Sequence, residues 1–175
     1  MADKPGSMYR EISKPAYTRK EYITGIPGSK IAQHRMGDRN KNADEWPIQI
    51  SLVVEEEGQI RNGALEASRL AMNRHLLKSL GEGNYAATLR KFTHHVLREN
   101  KQATGAGADR VSLGMRASFG KPVGAAARVE ANQPLVEVGV EPKDFAKAKT
   151  ALRKASYKFP LPGRIQVRLG AELLK

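Results

Sequence analysis

The feature that most constrains the fold is an apolar run, WPIQISLVVEEE at residues 46–57, which ends in three glutamates. It is rich in β-branched residues, and Ile48, Ile50 and Leu52 alternate with other side chains, a pattern typical of a β-strand. Pro47 has no backbone N–H to pair, so it fits either the first position of a strand or an edge strand. The run predicts a strand over 46–57.

Further strands are predicted on both sides of this one. The segment GRIQVRLG at 163–170 alternates apolar with basic or polar residues, which indicates a half-buried strand with a basic outer face. The tripeptide Asn-Gln-Pro at 132–134 is expected to turn the chain between two others. The remaining predicted strands are 30–37, 85–100, 125–131 and 135–140.

Two helices are predicted, over 63–80 and 142–159. The segment GQIRNG is expected to form a turn before the first helix, with Asn62 as its cap. The core stripe of that helix is expected to consist of Leu65, Leu70, Met72, Leu76, Leu77 and Leu80. The inward residues of the second helix are expected to be Phe145, Ala148, Leu152 and Ala155. This order of elements predicts an α+β fold, an antiparallel β-sandwich with both helices packed on one sheet face.

Two segments have no regular period. Residues 1–29 mix prolines, glycines and cations, and they are expected to form an extended basic N-terminal arm that is poorly ordered alone in water. Residues 30–175 are expected to form a single domain. Within it, the aperiodic stretch 101–124 is long for a compact domain, which points to function or disorder, and its part at 102–114 is expected to project as a loop.

The charge of the chain is high and segregated. Thirty Lys and Arg against eighteen Asp and Glu give +12 and a pI near 10.1. Residues 42–85 carry four cations and seven acids, whereas residues 86–128 carry eight cations and two acids. Such blocks favour a polyanionic partner, nucleic acid first and an anionic membrane surface second.

The sequence also excludes several classes of protein. No apolar run approaches the ~20 residues of a membrane span, and the first fifteen residues have no apolar leader. The absence of cysteine excludes disulfides, thiolate catalysis and Cys-ligated zinc, and it weakly favours an intracellular protein.

Nucleotide-binding loops fail on spacing. Five residues separate Gly114 from Gly120-Lys121, where a phosphate-binding loop has four, and Pro122 supplies neither a hydroxyl nor an N–H where that loop needs Ser or Thr. The Gly-Ala-Gly at 105–107 does not extend to a dinucleotide fingerprint, because Arg110 occupies the place of the third glycine.

The four histidines do not form a metal site. His94 and His95 are adjacent and would point to opposite faces of a strand, so they chelate poorly. Packing or RNA hydrogen bonds are expected for them and for His34 and His75. We find no catalytic constellation, and the expected cofactor and metal content is none.

Nucleic-acid chemistry remains. Five glycines fall between 105 and 124, interleaved with Arg110, Arg116 and Lys121, and glycine lets a backbone approach a strand closely. A looped basic chain without a recognition helix favours folded RNA over duplex DNA. Two alternatives stay open here: a free RNA-binding or RNA-chaperone protein, and a nucleotide-dependent phosphotransferase, which the missing hydroxyl disfavours.

One stretch resembles a known family. GADRVSLGMRASFGKPVGAAARV at 107–129 resembles the signature of the large-subunit ribosomal protein family L ten e of archaea and eukaryotes, the counterpart of bacterial L sixteen. Four other segments agree with it in the same order: ADEWP at 43–47, ALEASRLAMNRHL at 64–76, HHVLRENK at 94–101 and ALRKASYKFP at 151–160. The resemblance thus covers nearly the whole chain.

The resemblance implies a function and a fold. It implies an α+β sandwich with a hammerhead-like β motif and no enzymatic activity. The expected role is a structural constituent of the cytoplasmic large subunit, near the peptidyl transferase centre and the central protuberance, which supports late assembly and tRNA positioning. The implied partners are large-subunit rRNA, the 5S rRNA region, tRNA and neighbouring ribosomal proteins.

Individual residues follow from the resemblance and from the basic stretches. By the resemblance, Arg98 and Lys101 lie at the loop base, and Arg116, Lys121 and Pro122 carry over as rRNA contacts. Further cations expected on rRNA are Lys14, Arg19, Lys20, Arg90, Lys91, Arg128, Lys154, Lys158 and Arg164. The residues of the projecting loop expected near tRNA are Gly105, Gly107, Asp109, Arg110 and Ser112. The lack of cysteine and the end at Lys175 indicate the archaeal version.

Overall fold

The structure is a computed structural model that describes residues 12, 14–103, 105–108 and 114–174. These residues form eight strands and two α-helices, so the predicted α+β class is confirmed. In chain order the elements are β1 (Arg35–Gly37), β2 (Ile48–Val54), β3 (Gly58–Arg61), α1 (Asn62–Leu80), β4 (Tyr85–Leu89), β5 (His95–Glu99), β6 (Lys121–Val129), β7 (Pro134–Val140), α2 (Phe145–Ser156) and β8 (Gly163–Leu169).

The strands form two antiparallel sheets. One has five strands in the order β1-β4-β7-β2-β8, and the other has three in the order β3-β6-β5. Strand β2 lies between β7 and β8, and all seven of its residues are buried. Pro47 therefore precedes a central strand, so the prediction of a strand start was right and that of an edge was wrong.

Both helices cover one face of the five-stranded sheet. Ile48, Ile50 and Leu52 alternate toward this face and belong to the same buried cluster as residues of both helices. Helix α1 packs against α2, and each helix also contacts strands of this sheet. Along α2, Ala148, Ala151 and Ala155 are fully buried, and their small side chains let the two helices approach closely.

The two sheets are joined at the place where two crossings of the chain, from β2 to β3 and from β6 to β7, lie side by side. The Val54 N–H, at the end of β2, donates to Gln133 O at 3.1 Å, and the Asn132 N–H donates to Val54 O at 2.8 Å. These bonds hold the β2–β3 crossing beside the β6–β7 turn. As a result Ile60 in the smaller sheet belongs to the same core as the larger one.

Several predicted boundaries were wrong. The GQIRNG segment is strand β3 rather than a turn, because Gly58–Arg61 pairs with β6 and buries Ile60. The residue at the N-cap position of α1 is Arg61 and not Asn62, which is the first residue of the helix. The predicted strand over 85–100 is two strands, β4 and β5, in different sheets, and His94 precedes β5 instead of sharing it with His95.

The helix stripe was partly right. Leu65, Met72 and Leu76 are fully buried, as predicted. Leu70 and Leu77 were wrongly placed in the core, since they are 47% and 42% exposed. Each lies five residues after a core residue, which at 3.6 residues per turn moves it well off the buried face. In α2 the predicted Ala148, Leu152 and Ala155 are buried, and Phe145 is only half-buried.

Within the described part of the chain, no helix combines the length and apolar character needed to cross a membrane.

A glycine in the centre of the larger sheet offers a stability test. A Cβ on Gly139 would lie 2.7 Å from both Ala43 O and the Trp46 ring. We expect Gly139→Ala to lower the free energy of unfolding by about 1–3 kcal/mol through overpacking. Urea denaturation measures this change.

Gly28→Ala is the matched control, because nothing lies within 4 Å of its added methyl, and it should change stability by less than about 1 kcal/mol. Equal effects of the two substitutions would contradict the packing described here.

Candidate RNA interface

The N-terminal segment from Lys14 to Tyr22 lies against the smaller sheet. The Tyr17 N–H donates to His95 Nδ1 at 2.8 Å, and the Val96 N–H donates to Tyr17 O at 3.0 Å. The Arg128 guanidinium donates to Lys14 O and, at 3.1 Å, to Pro15 O. The arm therefore runs beside β5, held by the His95 ring, by the backbone of Val96 and by one arginine of β6.

The side chain of Arg98 joins this arm to the return of the long loop. Its guanidinium carbon lies 4.5 Å from the centre of the Tyr17 ring and 4.1 Å from that of the Phe119 ring. Its Nη1–H also donates to Phe119 O at 3.2 Å. The two rings meet edge to face at 6.1 Å. A planar guanidinium satisfies both rings and the carbonyl at once, which a lysine ammonium does less well.

The two ends of the long loop are closed by local contacts. Asn100 donates its Nδ2–H to Gly114 O at 3.3 Å, and Glu99 pairs with Lys121 as the last register pair of β5 and β6. Gly120 has φ +81°, and a Cβ there would lie 3.0 Å from the Glu99 carbonyl carbon. Only glycine fits this close approach. Lys121 and Pro122 therefore belong to β6, whereas the sequence placed them in the loop and started that strand at 125.

Three adjoining clefts surround these contacts. The arm cleft lies between residues 14–22 and the segment 95–98, the stem cleft lies between residues 99–101 and 114–123, and the helix cleft lies at the start of α1. The arm and stem clefts share Asn100 and Phe119, and each meets the helix cleft at one residue, Leu97 and Val123 respectively. Their volumes of about 820, 600 and 520 Å³ are those of sites for nucleotide-sized groups.

The helix cleft favours anions. The first turn of α1 has no side-chain cap from Arg61 and no acidic residue, so the positive end of its dipole is uncompensated there. Lys30 and Lys158 line the same cleft. Asn62 lines it as well and is buried, with 7% of its surface exposed. Amide groups and cations around a helix N-terminus are the groups that hold phosphate oxygens.

Most of the predicted rRNA residues come together at these clefts. Eight of the thirteen line them, namely Lys14, Arg19, Arg98, Lys101, Arg116, Lys121, Arg128 and Lys158. Glu99 is the single acid among the described lining residues. Their contact with RNA stays a prediction.

The other predicted cations lie apart from the clefts. Arg90 pairs with the buried Glu137 at 3.3 Å. Lys91 and Arg164 meet the turn after β6, where Lys91 donates to Gln133 Oε1 and Arg164 donates to Asn132 Oδ1 at 2.9 Å. Lys154, on α2, lies 2.9 Å from His75 Nδ1 on α1.

Part of the predicted tRNA-proximal loop lies outside the described residues, as do Asp109, Arg110, Ser112 and the side chain of Lys20. Gly105 and Gly107 are described. Both have positive φ, at +113° and +83°, with open space where a Cβ would stand. These two glycines therefore serve backbone conformation and not close packing.

The sequence did not single out Tyr17 or Asn62. Tyr17 is one of three tyrosines in an aperiodic arm, and its partners Arg98 and Phe119 are distant in sequence, so no local pattern marks it. Asn62 was expected only as a cap. Lys30 carried a usable signal, since it directly follows the basic arm in the sequence.

The pKa values of His95 and His75 are both lowered, which favours the neutral form of these two rings. Burial lowers the pKa of His95 below its ordinary 6.5, and Arg128 and Arg98 lower that pKa further. The neutral ring can then accept the Tyr17 N–H at Nδ1. Burial, followed by Lys154 and Lys78, lowers the pKa of His75 in the same direction. Among the described residues, no group of three or more His, Asp or Glu side chains is placed to hold a metal ion.

Comparison with known proteins identifies the class. The chain is 64% identical to the Large ribosomal subunit protein uL16 of Haloarcula marismortui over 175 residues, which cover 99% of each chain. It is 59% identical to that of Halobacterium salinarum over 174 residues, again 99% of each, and 54% identical to that of Methanocella arvoryzae over the full length of both. The chain is a structural protein of the large ribosomal subunit, not an enzyme.

The family follows from the same comparison. The model of the family described as Ribosomal protein L16p/L10e matches residues 12–166. The chain belongs to that family, in its archaeal form, and it acts in translation on cytoplasmic ribosomes.

The docking of the arm should depend on pH. His95 has a depressed pKa when the arm is docked, so docking is fully stable above the ordinary pKa of 6.5 and weakens as the pH falls below it. The hydrogen-exchange protection factor of the Val96 amide should therefore fall at acid pH. Asn offers an acceptor that does not titrate, so His95→Asn should remove this dependence. An unchanged pH profile in that variant would show that His95 is not the titrating group.

Proposed function

We propose that the chain binds large-subunit rRNA through the arm, stem and helix clefts, near the peptidyl transferase centre and the central protuberance. In that position it supports late subunit assembly and the positioning of tRNA. The 5S rRNA region and tRNA are the further RNA partners in this proposal, and neighbouring ribosomal proteins complete the surroundings of the chain.

The observation that carries the proposal is the convergence of cations on one connected surface. Eight predicted rRNA residues from the arm, β5, the loop return, β6 and the segment after α2 line the three clefts. Side chains of Lys101, Arg116 and Lys121 are exposed there. Cations gathered in this way displace the counterions of an RNA backbone, which is the largest source of affinity for a polyanion.

The stem contacts give the proposed tRNA role a mechanical basis. Asn100 and Arg98 hold the ends of the loop at Gly114 and Phe119, so its tip is presented from a fixed base. A loop fixed at its base is suited to reach a second RNA while the domain stays bound to the first.

Two substitutions test the phosphate contacts. Arg116→Gln and Lys121→Gln should each weaken binding to protein-free large-subunit rRNA and reduce the slope of log affinity against log salt by about 0.7–0.9, one phosphate each. Filter binding over a range of salt concentrations measures both quantities.

Lys78→Gln is the matched control for net charge. It removes one cation from the exposed side of α1, away from the three clefts. Its salt slope should equal that of the unaltered chain. If all three variants lost the same slope, the attraction would depend on total charge, and the clefts would not be the binding surface.

A deletion tests the tRNA role. Removing residues 104–112 leaves the Arg98–Phe119 and Asn100–Gly114 bonds in place, and the four residues left between Asn100 and Gly114 span a distance already closed by a 3.3 Å hydrogen bond. The melting temperature should therefore stay near that of the full chain. Subunits carrying only the deleted form should be slow in tRNA-dependent steps or in maturation. Normal translation by those subunits would remove this part of the proposal.

Co-sedimentation tests the proposal as a whole. The chain should sediment with large subunits at moderate salt. A chain that sediments apart from ribosomes, although it binds RNA, would instead be a free RNA-binding protein.

A further inference from the structure

Three aromatic rings stack at the surface beside the linker between β4 and β5, outside the three clefts. The Phe92 ring lies 4.3 Å from the His34 ring and 6.2 Å from the His94 ring, centre to centre, and the planes of both pairs meet at 24°. Phe92 is 54% exposed, and His94 is exposed as well. We call this group the ring stack. About half of the apolar Phe92 side chain is therefore exposed to water, and its ring is nearly parallel to the two histidine rings.

The stack is fixed to the larger sheet. The His34 Nδ1–H donates to Leu89 O at 3.2 Å, and the Leu89 N–H donates to His34 O at 2.8 Å. The Arg90 N–H donates to Leu135 O at 2.9 Å and holds the start of the linker. The His34 ring and the start of the linker are therefore held in place, which lowers the cost of ordering the stack around a flat ligand.

The surroundings of the stack are basic. The sequence contains no Asp or Glu between Glu82 and Glu99 or between Glu21 and Asp38, the two segments that supply the rings. Arg90 and Lys91 directly precede Phe92, and the Arg90 side chain stays 52% exposed although it pairs with Glu137. Exposed parallel rings beside cations are the combination that binds unpaired nucleobases, because every base has a face to stack and a phosphate next to it.

We propose that the ring stack of His34, Phe92 and His94 is a stacking platform for an unpaired base of large-subunit rRNA, with Arg90 and Lys91 toward the adjoining phosphates. This inference rests on the proposed function, since it takes rRNA as the partner. The clefts are proposed to bind the RNA backbone. The ring stack adds a second kind of contact, in which an aromatic ring stacks on the face of a base. An apolar side chain of a neighbouring ribosomal protein is the competing occupant, and the two adjoining cations, in segments that contain no acid, favour the nucleic acid.

Substitution of Phe92 separates stacking from charge. Phe92→Leu keeps an apolar side chain and removes the aromatic face, whereas Phe92→Tyr keeps that face and serves as the matched control. We expect Phe92→Leu to weaken binding to protein-free large-subunit rRNA by between about 5-fold and about 100-fold. The salt slope should not change, because no cation is removed. Phe92→Tyr should bind like the unaltered chain, and all three chains should unfold at the same temperature.

A cross-linking measurement adds a direct readout of contact. Ultraviolet irradiation of the complex, followed by mass spectrometry, should place a cross-linked nucleotide on the peptide that contains Phe92, and Phe92→Leu should abolish that cross-link. Unchanged affinity of Phe92→Leu for an rRNA that the unaltered chain binds would overturn the platform and leave the proposed function intact. Unchanged rRNA affinity with poor incorporation into subunits would also overturn it, in favour of a protein partner. If the unaltered chain did not bind the rRNA, the proposed function itself would fail.

Discussion

The functional surface depends on one guanidinium, that of Arg98, which stacks against Tyr17 and Phe119 and bonds to the Phe119 carbonyl. Without it the arm would keep its bonds to β5 and its contacts with Arg128, and the edge-to-face contact of Tyr17 with Phe119 would be left to join the arm to the loop return. Arg98 is one of the cations predicted to contact rRNA. Its observed role is to hold together the two segments that carry several of the others, which is compatible with a phosphate contact from its exposed side.

The core and the basic surface draw on different parts of the sequence. The acid-rich block 42–85 supplies β2 at the centre of the larger sheet, α1, which covers that sheet, and β3 at one edge of the smaller sheet. The basic block 86–128 supplies most of β4, the strands β5 and β6 of the smaller sheet, and the loop that lines the stem cleft. A continuous core across the two sheets therefore supports a surface that can become strongly cationic without burying its charges. This separation suits a structural protein that is surrounded by RNA.

Periodicity predicted most of the elements but not their pairing. The β-branched run and the alternation at 163–170 identified β2 and β8, and the stripe of Leu65, Met72 and Leu76 identified the inner face of α1, because these signals are local. The split of 85–100 was missed because β4 pairs with β1 and β7 in one sheet while β5 pairs with β6 in the other, and β3 was missed because only its pairing with β6 makes it a strand. Most predicted cations did converge, since charge segregation marks whole segments. The contact between Tyr17 and Arg98 joins residues 81 positions apart, so no window of sequence could show it.

The central claim is that the three clefts, including the one at the start of α1, face rRNA while the exposed side of α1 that carries Lys78 faces away from it. Lysine acetylation, carried out on the free chain and on the chain bound to large-subunit rRNA, tests this claim most directly. The exposed Lys101 and Lys121 of the stem cleft should lose most of their reactivity in the complex, and Lys78 on α1 should keep its own. Protection of Lys78 with Lys101 and Lys121 still reactive would contradict the account, because it would place the RNA on the opposite surface.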